Sequence, residues 1–442
     1  MKIRISVLSL LVLMTSALMP SAAHSAAAPH LTFAESYDSV TVGGGGKYLL
    51  FHFESSRELV VFDVVEGKIT NTLPNIGVGS LIAAGGEYFV VVQADKRLLM
   101  RWKYDSDKRD KLARFDVDGT VKVALLGSNA DGRGPLLIGG KVAKLWDLET
   151  LKPLNMQGQV LGGSSRFGVS IRVSADGQTF GAIPTGYGPV AYSRMVVLEK
   201  STVIQKFGST SHATRFAQPT ADGSLMLLPG NTIYGPDLKA VQADALNGMT
   251  CLPTVDPRFL LAIRFVPSRN EQLAELHVCT TGERQIIHRS LGYLEMAPKG
   301  NTNSRRGFAN ALARSEYRYH YLPSAKKIVT LPIGNQELFY RPLDVEGDLK
   351  GQGKPYLFVI SNPRVHVLVG EAFQYKLETL ASAKQLKFTL EDAPDRMRIS
   401  RDGNIRWKAG SSDAGTASVL LTVTGDDGAE SIHSFDLHVT RR

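Results

Sequence analysis

At 442 residues, 43% hydrophobic and 8% aromatic, the chain has the ordinary composition of a globular protein and is long enough for two or three domains. Its formal net charge of +9 is mild, and blocks such as 105–109 mix both signs, so the basic residues read as a solvated surface and not as a nucleic-acid footprint. Forty-two glycines and twenty prolines are spread along the chain, as many short strands punctuated by turns require, which favours an all-β protein.

The chain opens with Lys2 and Arg4 ahead of an apolar run over 5–19, followed by the small residues of Ala23-His24-Ser25. This is the pattern of a cleaved export signal, with the cut expected before Ala26 and residues 1–25 removed. An uncleaved anchor is the weaker alternative, because the run is shorter than the roughly 20 residues that span a bilayer. No cysteine follows the run to carry a lipid. Cleavage removes two positive charges, leaving +7. The mature chain is therefore expected to be exported, in the periplasm, secreted or at the cell surface. Cys251 and Cys279 would then meet an oxidising compartment. A strand expected between them argues for two buried thiols over a disulfide.

Residues 30–34 form a short expected strand with no partner before it. After it a hairpin signal recurs, a tight turn opening onto an apolar run. It reads G-G-G-K-Y-L-L-F at Gly44, A-G-G-E-Y-F-V-V at Ala84, A-D-G-R-G-P-L-L at Ala130, S-A-D-G-Q-T-F-G-A at Ser174, A-D-G-S-L-M-L-L at Ala221 and V-D-P-R-F-L-L-A at Val255. A weaker copy, P-S-A-K-K-I-V-T, starts at Pro323. The steps of 40, 47, 44, 46 and 34 residues from Lys47 to Arg258 fall around the period of a four-stranded propeller blade. Expected strands are 39–42, 48–53, 59–64 and 68–71 for the first blade, then 80–83, 88–93, 98–104 and 111–115 for the second. The third blade takes 122–126, 135–138, 142–148 and a strand near Pro153. The fourth and fifth centre on 169–173 with 179–183 and on 214–218 with 225–228. The sixth holds the cysteines, on an inner strand over 248–254 and a third strand over 274–279.

A second signal marks the ends of third strands: V-F-D-V-V-E-G-K at Val61, K-L-W-D-L-E-T-L-K at Lys144, M-V-V-L-E-K-S-T at Met195 and L-H-V-C-T-T-G-E at Leu276. On these two registers the region 30–345 resembles bacterial propellers of the WD-repeat-like and YVTN-like kind. Trp146-Asp147 is the single W-D dipeptide, and its G-H partner is missing. After the longest irregular stretch, 291–315, a seventh blade offers only 317–321, 328–332 and 337–341. The unpaired strand at His30 is expected to supply its fourth, closing the ring and removing its open edges.

The polar, glycine-rich D-V-E-G-D-L-K-G-Q-G-K from Asp344 reads as a linker, assigned to 346–354. Beyond it, strands are expected at 357–361, 372–377, 386–390, 404–407, 418–424 and 431–439, which is sandwich spacing. G-E-A-F-Q-Y-K-L at Gly370, A-P-D-R-M-R-I-S-R-D-G-N-I-R-W at Ala393 and V-T-G-D-D-G at Val423 resemble a cadherin-like, dystroglycan-type immunoglobulin-fold module over 355–442. Many modules of that kind bind calcium at their junctions, but the D-x-N-D-N linker is absent here, and Asp426 and Asp427 read as turn residues. The expected fold is thus all-β: a seven-bladed propeller over 26–345 closed by an N-terminal strand, and a C-terminal immunoglobulin-like β-sandwich.

Catalytic motifs are scarce. S-A-D-G-Q-T-F is one residue short of a sialidase Asp-box, and no G-x-S-x-G is present. The glycine run 43–46 sits at a hairpin, where it cannot cradle a phosphate at a helix start. His52, His212, His277, His288 and His320 show no metal-ligand spacing, although a site converging from several blades needs none. No cofactor and no metal are expected. The preferred reading is an exported, non-catalytic binding or scaffolding protein that recognises a protein or anionic glycan on its loop face. The rivals are an extracellular propeller hydrolase or lyase and a surface-layer or adhesion component. Connections after second and fourth strands should gather on one rim, bringing Tyr187, Arg269, Arg305, Arg306 and Arg314 together. Tyrosine can stack on a sugar, and the arginines can pair with carboxylates or phosphates.

Overall fold

The computed structural model describes residues 29–116, 121–130, 134–139, 143–155, 169–184, 190–198, 202–210, 216–228, 232–241, 243–267, 272–291, 293, 296, 317–363 and 366–440. The export signal expected at 1–25 lies outside them. The described residues between His30 and Pro342 form consecutive antiparallel meanders. Sheet A takes Ser39–Gly43, Tyr48–Phe53, Glu58–Asp63 and Lys68–Leu73, and sheet B takes Leu81–Ala84, Tyr88–Gln93, Leu98–Lys103 and Lys111–Arg114. Sheet C holds Val123–Leu125, Leu136–Gly139, Ala143–Asp147 and Lys152–Pro153, and sheet D holds Val169–Val173, Thr179–Pro184, Val190–Leu198 and Thr202–Thr210. Sheet E is shorter, with Gln218–Pro219, Met226–Leu228 and Thr232–Tyr234. Sheet F has Thr250–Pro253, Phe259–Pro267, Gln272–Thr280 and Ile286–Ser290. In sheet G, Tyr319–Leu322, Lys327–Thr330 and Glu337–Pro342 are completed by His30–Thr32, paired antiparallel as His30↔Phe339, Leu31↔Leu338 and Thr32↔Glu337.

Middle strands are buried on both faces, so each sends alternate side chains to opposite neighbours. Leu50 packs with Ile82 and Val91 of sheet B, whereas Phe51 packs with Leu322 and Val329 of sheet G. The same alternation joins B to C, C to D, D to E, E to F and F to G. The fold is a β-propeller whose apolar core is the set of seams between its sheets. Phe33 and Tyr37, just after the closing strand, are buried in the A–G seam.

Cys251 and Cys279 are free, buried thiols. The strand between them pairs Ala262 with Cys251 and Leu260 with Cys279. Burial pushes the Cys251 thiol up to about 12, so it is a packing group and not a nucleophile.

The expected linker contains a helix, α1 (Val345–Gly351). Asp344 caps it by accepting a hydrogen bond from the Gly347 amide at 3.0 Å. Val345 and Leu349, four residues apart and therefore on one face, are buried against the propeller. Burial of this two-residue stripe overrides the polar, glycine-rich composition.

After α1, one sheet comprises His366–Leu368, Glu430–Thr440, Gly415–Gly425 and Leu386–Asp392, with the first strand parallel to the second. A second comprises Ala372–Lys376, Asn404–Lys408 and Arg398–Ile399, and Leu357–Val359 pairs with Thr379–Ala381. Phe373, Ile405 and Trp407 share a core with Val419, Leu421, Val423 and Leu437 from the other sheet. This tail packs on the propeller. Tyr356, Ile360 and Leu380 join the F–G seam, His438 lies 3.3 Å from Asp237, and the Ser431 hydroxyl donates to Glu283.

Candidate functional site at the channel mouth

The first strands of the sheets surround a cavity of about 720 Å³. Its two ends differ. At the end where first strands turn into second strands, the turns bond to one another in sequence around the axis. Gly44 N donates to Gly85 O at 2.7 Å, Gly86 N to Ala130 O at 2.9 Å, Asn129 N to Ala175 O at 2.7 Å and Asp176 N to Ala221 O at 2.9 Å. The Asn129 side chain also crosses the axis and donates to Val255 O at 2.7 Å. Such approach needs glycine at Gly127, where a Cβ would lie 2.2 Å from Gly177 N. Beneath these turns a smaller space of about 330 Å³ is covered by Glu378 of the tail. Arg258, in the sheet F turn, binds both Asp256 and Glu346, each at 2.8 Å, and so ties this end to α1.

At the opposite end, where first strands begin, polar groups line the wall. Asp38 accepts from Glu54 N and Glu54 from Gly79 N, each at 2.8 Å. The Arg318 guanidinium donates to Pro332 O at 2.6 Å and to Asn335 Oδ1 at 2.7 Å, and Asn335 Nδ2 donates to Tyr37 O at 2.9 Å. Burial pushes the Tyr37 phenol up to about 12, with the nearby Arg318 opposing, so the hydroxyl keeps its proton. Arg172 of sheet D meets the Tyr317 ring before sheet G, with its guanidinium 5.1 Å from the ring centroid, so the two touch across the channel.

Two histidines far apart in sequence, His52 and His320, line this one cavity. Burial lowers both, His320 to about 4, although the Glu54 and Asp38 carboxylates pull His52 the other way. Both rings are neutral at neutral pH. His277 and His288 lie elsewhere, beside Glu275 at 3.3 Å and Asp348 at 3.4 Å.

Tyr187, Arg269, Arg305, Arg306 and Arg314 all lie outside the described residues, as does His212. The strands that flank Tyr187 and Arg269 are placed. The register Val169↔Pro184 shows that the second strand of sheet D ends level with the start of the first, at the open mouth. The sheet F strand ending at Pro267 runs the same way. Met296 and Tyr317 bracket the segment carrying Arg305, Arg306 and Arg314, and Tyr317 itself lines the cavity. The channel set of Asp38, His52, Glu54, Tyr317, Arg318 and His320 was not singled out from the sequence as a site. The usable signal was position, since all but His52, Glu54 and His320 sit just before or at the start of a first strand.

The acidic turns have local work. Asp176 Oδ1 accepts from Gln178 N at 2.9 Å and Asp222 Oδ1 from Ser224 N at 3.0 Å, which is hairpin chemistry. Asp426 accepts from Lys384 N and Asp427 from Ala429 N, each at 3.0 Å. Among the described residues no group of three or more histidine, cysteine or acidic side chains is arranged to hold a metal ion. No described helix is long and apolar enough to cross a membrane.

No family model and no curated protein matches the chain. Among solved structures it is similar to the β-propeller domain of Cps50 (Swd1) from Myceliophteria thermophila, at 11% identity and a TM-score of 0.44, over 71% of this chain and all of that one. It is similar to hydrazine synthase from Kuenenia stuttgartiensis at 12% identity and 0.44, over 72% and 98% of the two chains. The Dos1 propeller gives 12% and 0.41, over 69% and 77%.

Proposed function

We propose that this chain is an exported, non-catalytic binding or scaffolding protein that recognises a protein or an anionic glycan with one face of a seven-bladed propeller. The tail is read as an immunoglobulin-like sandwich that backs the other face. One observation carries this reading: the first-to-second-strand turns bond to one another around the axis, the Asn129 side chain reaches across to Val255 O, and Glu378 of the tail lines the space beside them, so the opposite end of the channel is the one left for recognition. The connections carrying Tyr187, Arg269 and Arg305 leave from strands at that end, and loops set on a rigid frame commonly carry binding. The test is retention of the full chain on cell-wall polysaccharide and acidic-polymer columns across a salt gradient. R305A/R306A is expected to elute at lower salt with its circular dichroism unchanged. Unchanged retention on every matrix would remove this rim as the site.

A further inference from the structure

The wall of the open channel carries opposite charge on its two sides. Asp38 and Glu54, at the mouth ends of the first two strands of sheet A, line one side, and Lys122, ahead of sheet C, and Arg172 of sheet D line the other. Each carboxylate uses one oxygen on the backbone, Asp38 Oδ2 accepting from Glu54 N and Glu54 Oε1 from Gly79 N, both at 2.8 Å. Asp38 Oδ1 and Glu54 Oε2 have no further partner among the described residues, and neither side chain is in an ion pair there. Arg172 is held in place, its guanidinium against the Tyr317 ring and its Nη1 donating to Ile171 O at 2.9 Å. Lys122 is exposed and enters no ion pair among the described residues. The remaining cation of the wall, Arg318, is turned to Leu331 O, Pro332 O and Asn335 beside the Tyr37 phenol, which keeps its proton. The charges that act on the neutral His52 ring are those of Glu54 and Asp38, so the sheet A side is negative in spite of Arg318.

A cleft with low-dielectric walls focuses the field of its charges, so the sign of each side decides what can enter. An anion drawn to Lys122 and Arg172 would also face two carboxylates, and a cation drawn to Asp38 and Glu54 would face two bases. A molecule with an ammonium at one end and a carboxylate at the other meets attraction on both sides. Its hydrogen-bonding ends also match, because an ammonium only donates and the two open carboxylate oxygens only accept. Between the charged sides Val40, Leu81 and Val123 make the wall apolar, which suits a carbon backbone joining the two ends. The volume of about 720 Å³ falls within the roughly 300–1,000 Å³ typical of small-molecule sites.

We infer that the open channel holds a zwitterion of short-peptide size, its ammonium at Asp38 and Glu54 and its carboxylate toward Lys122 and Arg172. This rests on the reading that the open mouth is the recognition face, and it places a second, deeper site beneath the rim. The experiment is calorimetric titration of the full chain, in low-salt buffer, with trialanine and ε-aminocaproate, and with N-acetyl-trialanine and trialanine amide as forms blocked at one end. At least one zwitterion is expected to bind, and each blocked peptide should bind about tenfold or more weakly than trialanine, the loss of one charge-assisted contact. D38N/E54Q keeps an oxygen for each backbone amide, so the fold is retained while the negative side is removed. It should weaken trialanine by a similar factor and leave N-acetyl-trialanine unaffected. K122M should weaken trialanine about threefold, as befits an exposed cation, and leave the amide unaffected. Absence of binding by both zwitterions, blocked peptides that bind as well as trialanine, or variants that bind as the unaltered chain does would each overturn this inference. The rim reading survives that failure if R305A/R306A still elutes early from the columns. Unchanged column retention of R305A/R306A beside intact trialanine binding by the unaltered chain overturns the rim reading alone.

Discussion

His320 is a partly buried imidazole of the channel wall, and His433 is a buried one of the tail, where its Nε2 lies 3.3 Å from the Tyr375 hydroxyl. Burial lowers each to about 4, with Arg284 adding to the effect on His433. In the unfolded chain both titrate near 6.5, so between pH 6.5 and 4 the unfolded state takes up protons that the native state does not. The stability contributed by the neutral rings is therefore complete above about pH 6.5 and is lost as pH falls toward 4. The slope approaches about 1.4 kcal/mol per pH unit for each ring. Thermal melts of H320Q and H433Q from pH 7 to pH 4.5 should each fall less steeply than those of the unaltered chain. Parallel slopes would show that these rings do not govern acid sensitivity.

At the scale of elements, the closing strand is short, yet the seam behind it is not. Phe33 and Tyr37 pack edge-on against Phe53, with centroids 5.2 and 6.4 Å away, and that seam is what holds sheets A and G together. A chain beginning at Ser39 is expected to melt far below one beginning at Ala26, and equal midpoints in calorimetry would contradict the ring topology. This strand was legible in the sequence because an odd strand at the start and a missing one at the end leave one solution. The hairpins were legible for a local reason, since a turn with glycine at positive φ, as at Gly177 and Gly223, precedes an apolar run. Elements set by tertiary burial were not. α1 is stabilised by a two-residue stripe inside a polar stretch, and His366–Leu368 is a strand only because His438–Thr440 lies beside it. The site was least legible. His52 and Tyr317 are far apart in sequence, and only the closure of the ring brings them to one cavity.

At the scale of the molecule, the tail has a core of its own around Phe373 and Trp407, but it also lends Tyr356, Ile360 and Leu380 to the propeller. Trp407 is 4% exposed, and its indole donates to Asp395 O at 3.2 Å. Residues 353–442 alone are therefore expected to give a buried-tryptophan emission spectrum, and to bind residues 26–352 when the two are mixed. Separate elution of the pieces in gel filtration would limit the contact to a tethered one. The pairing of His30 with Phe339 has a consequence in time. A chain made from its N-terminus must hold its first strand unpaired until the last strand of the ring has emerged, so productive folding is deferred to the end of synthesis. Until then the edge strands of the unfinished sheets stay open to other chains, and a chaperone that shields the first residues would raise the yield of the closed ring.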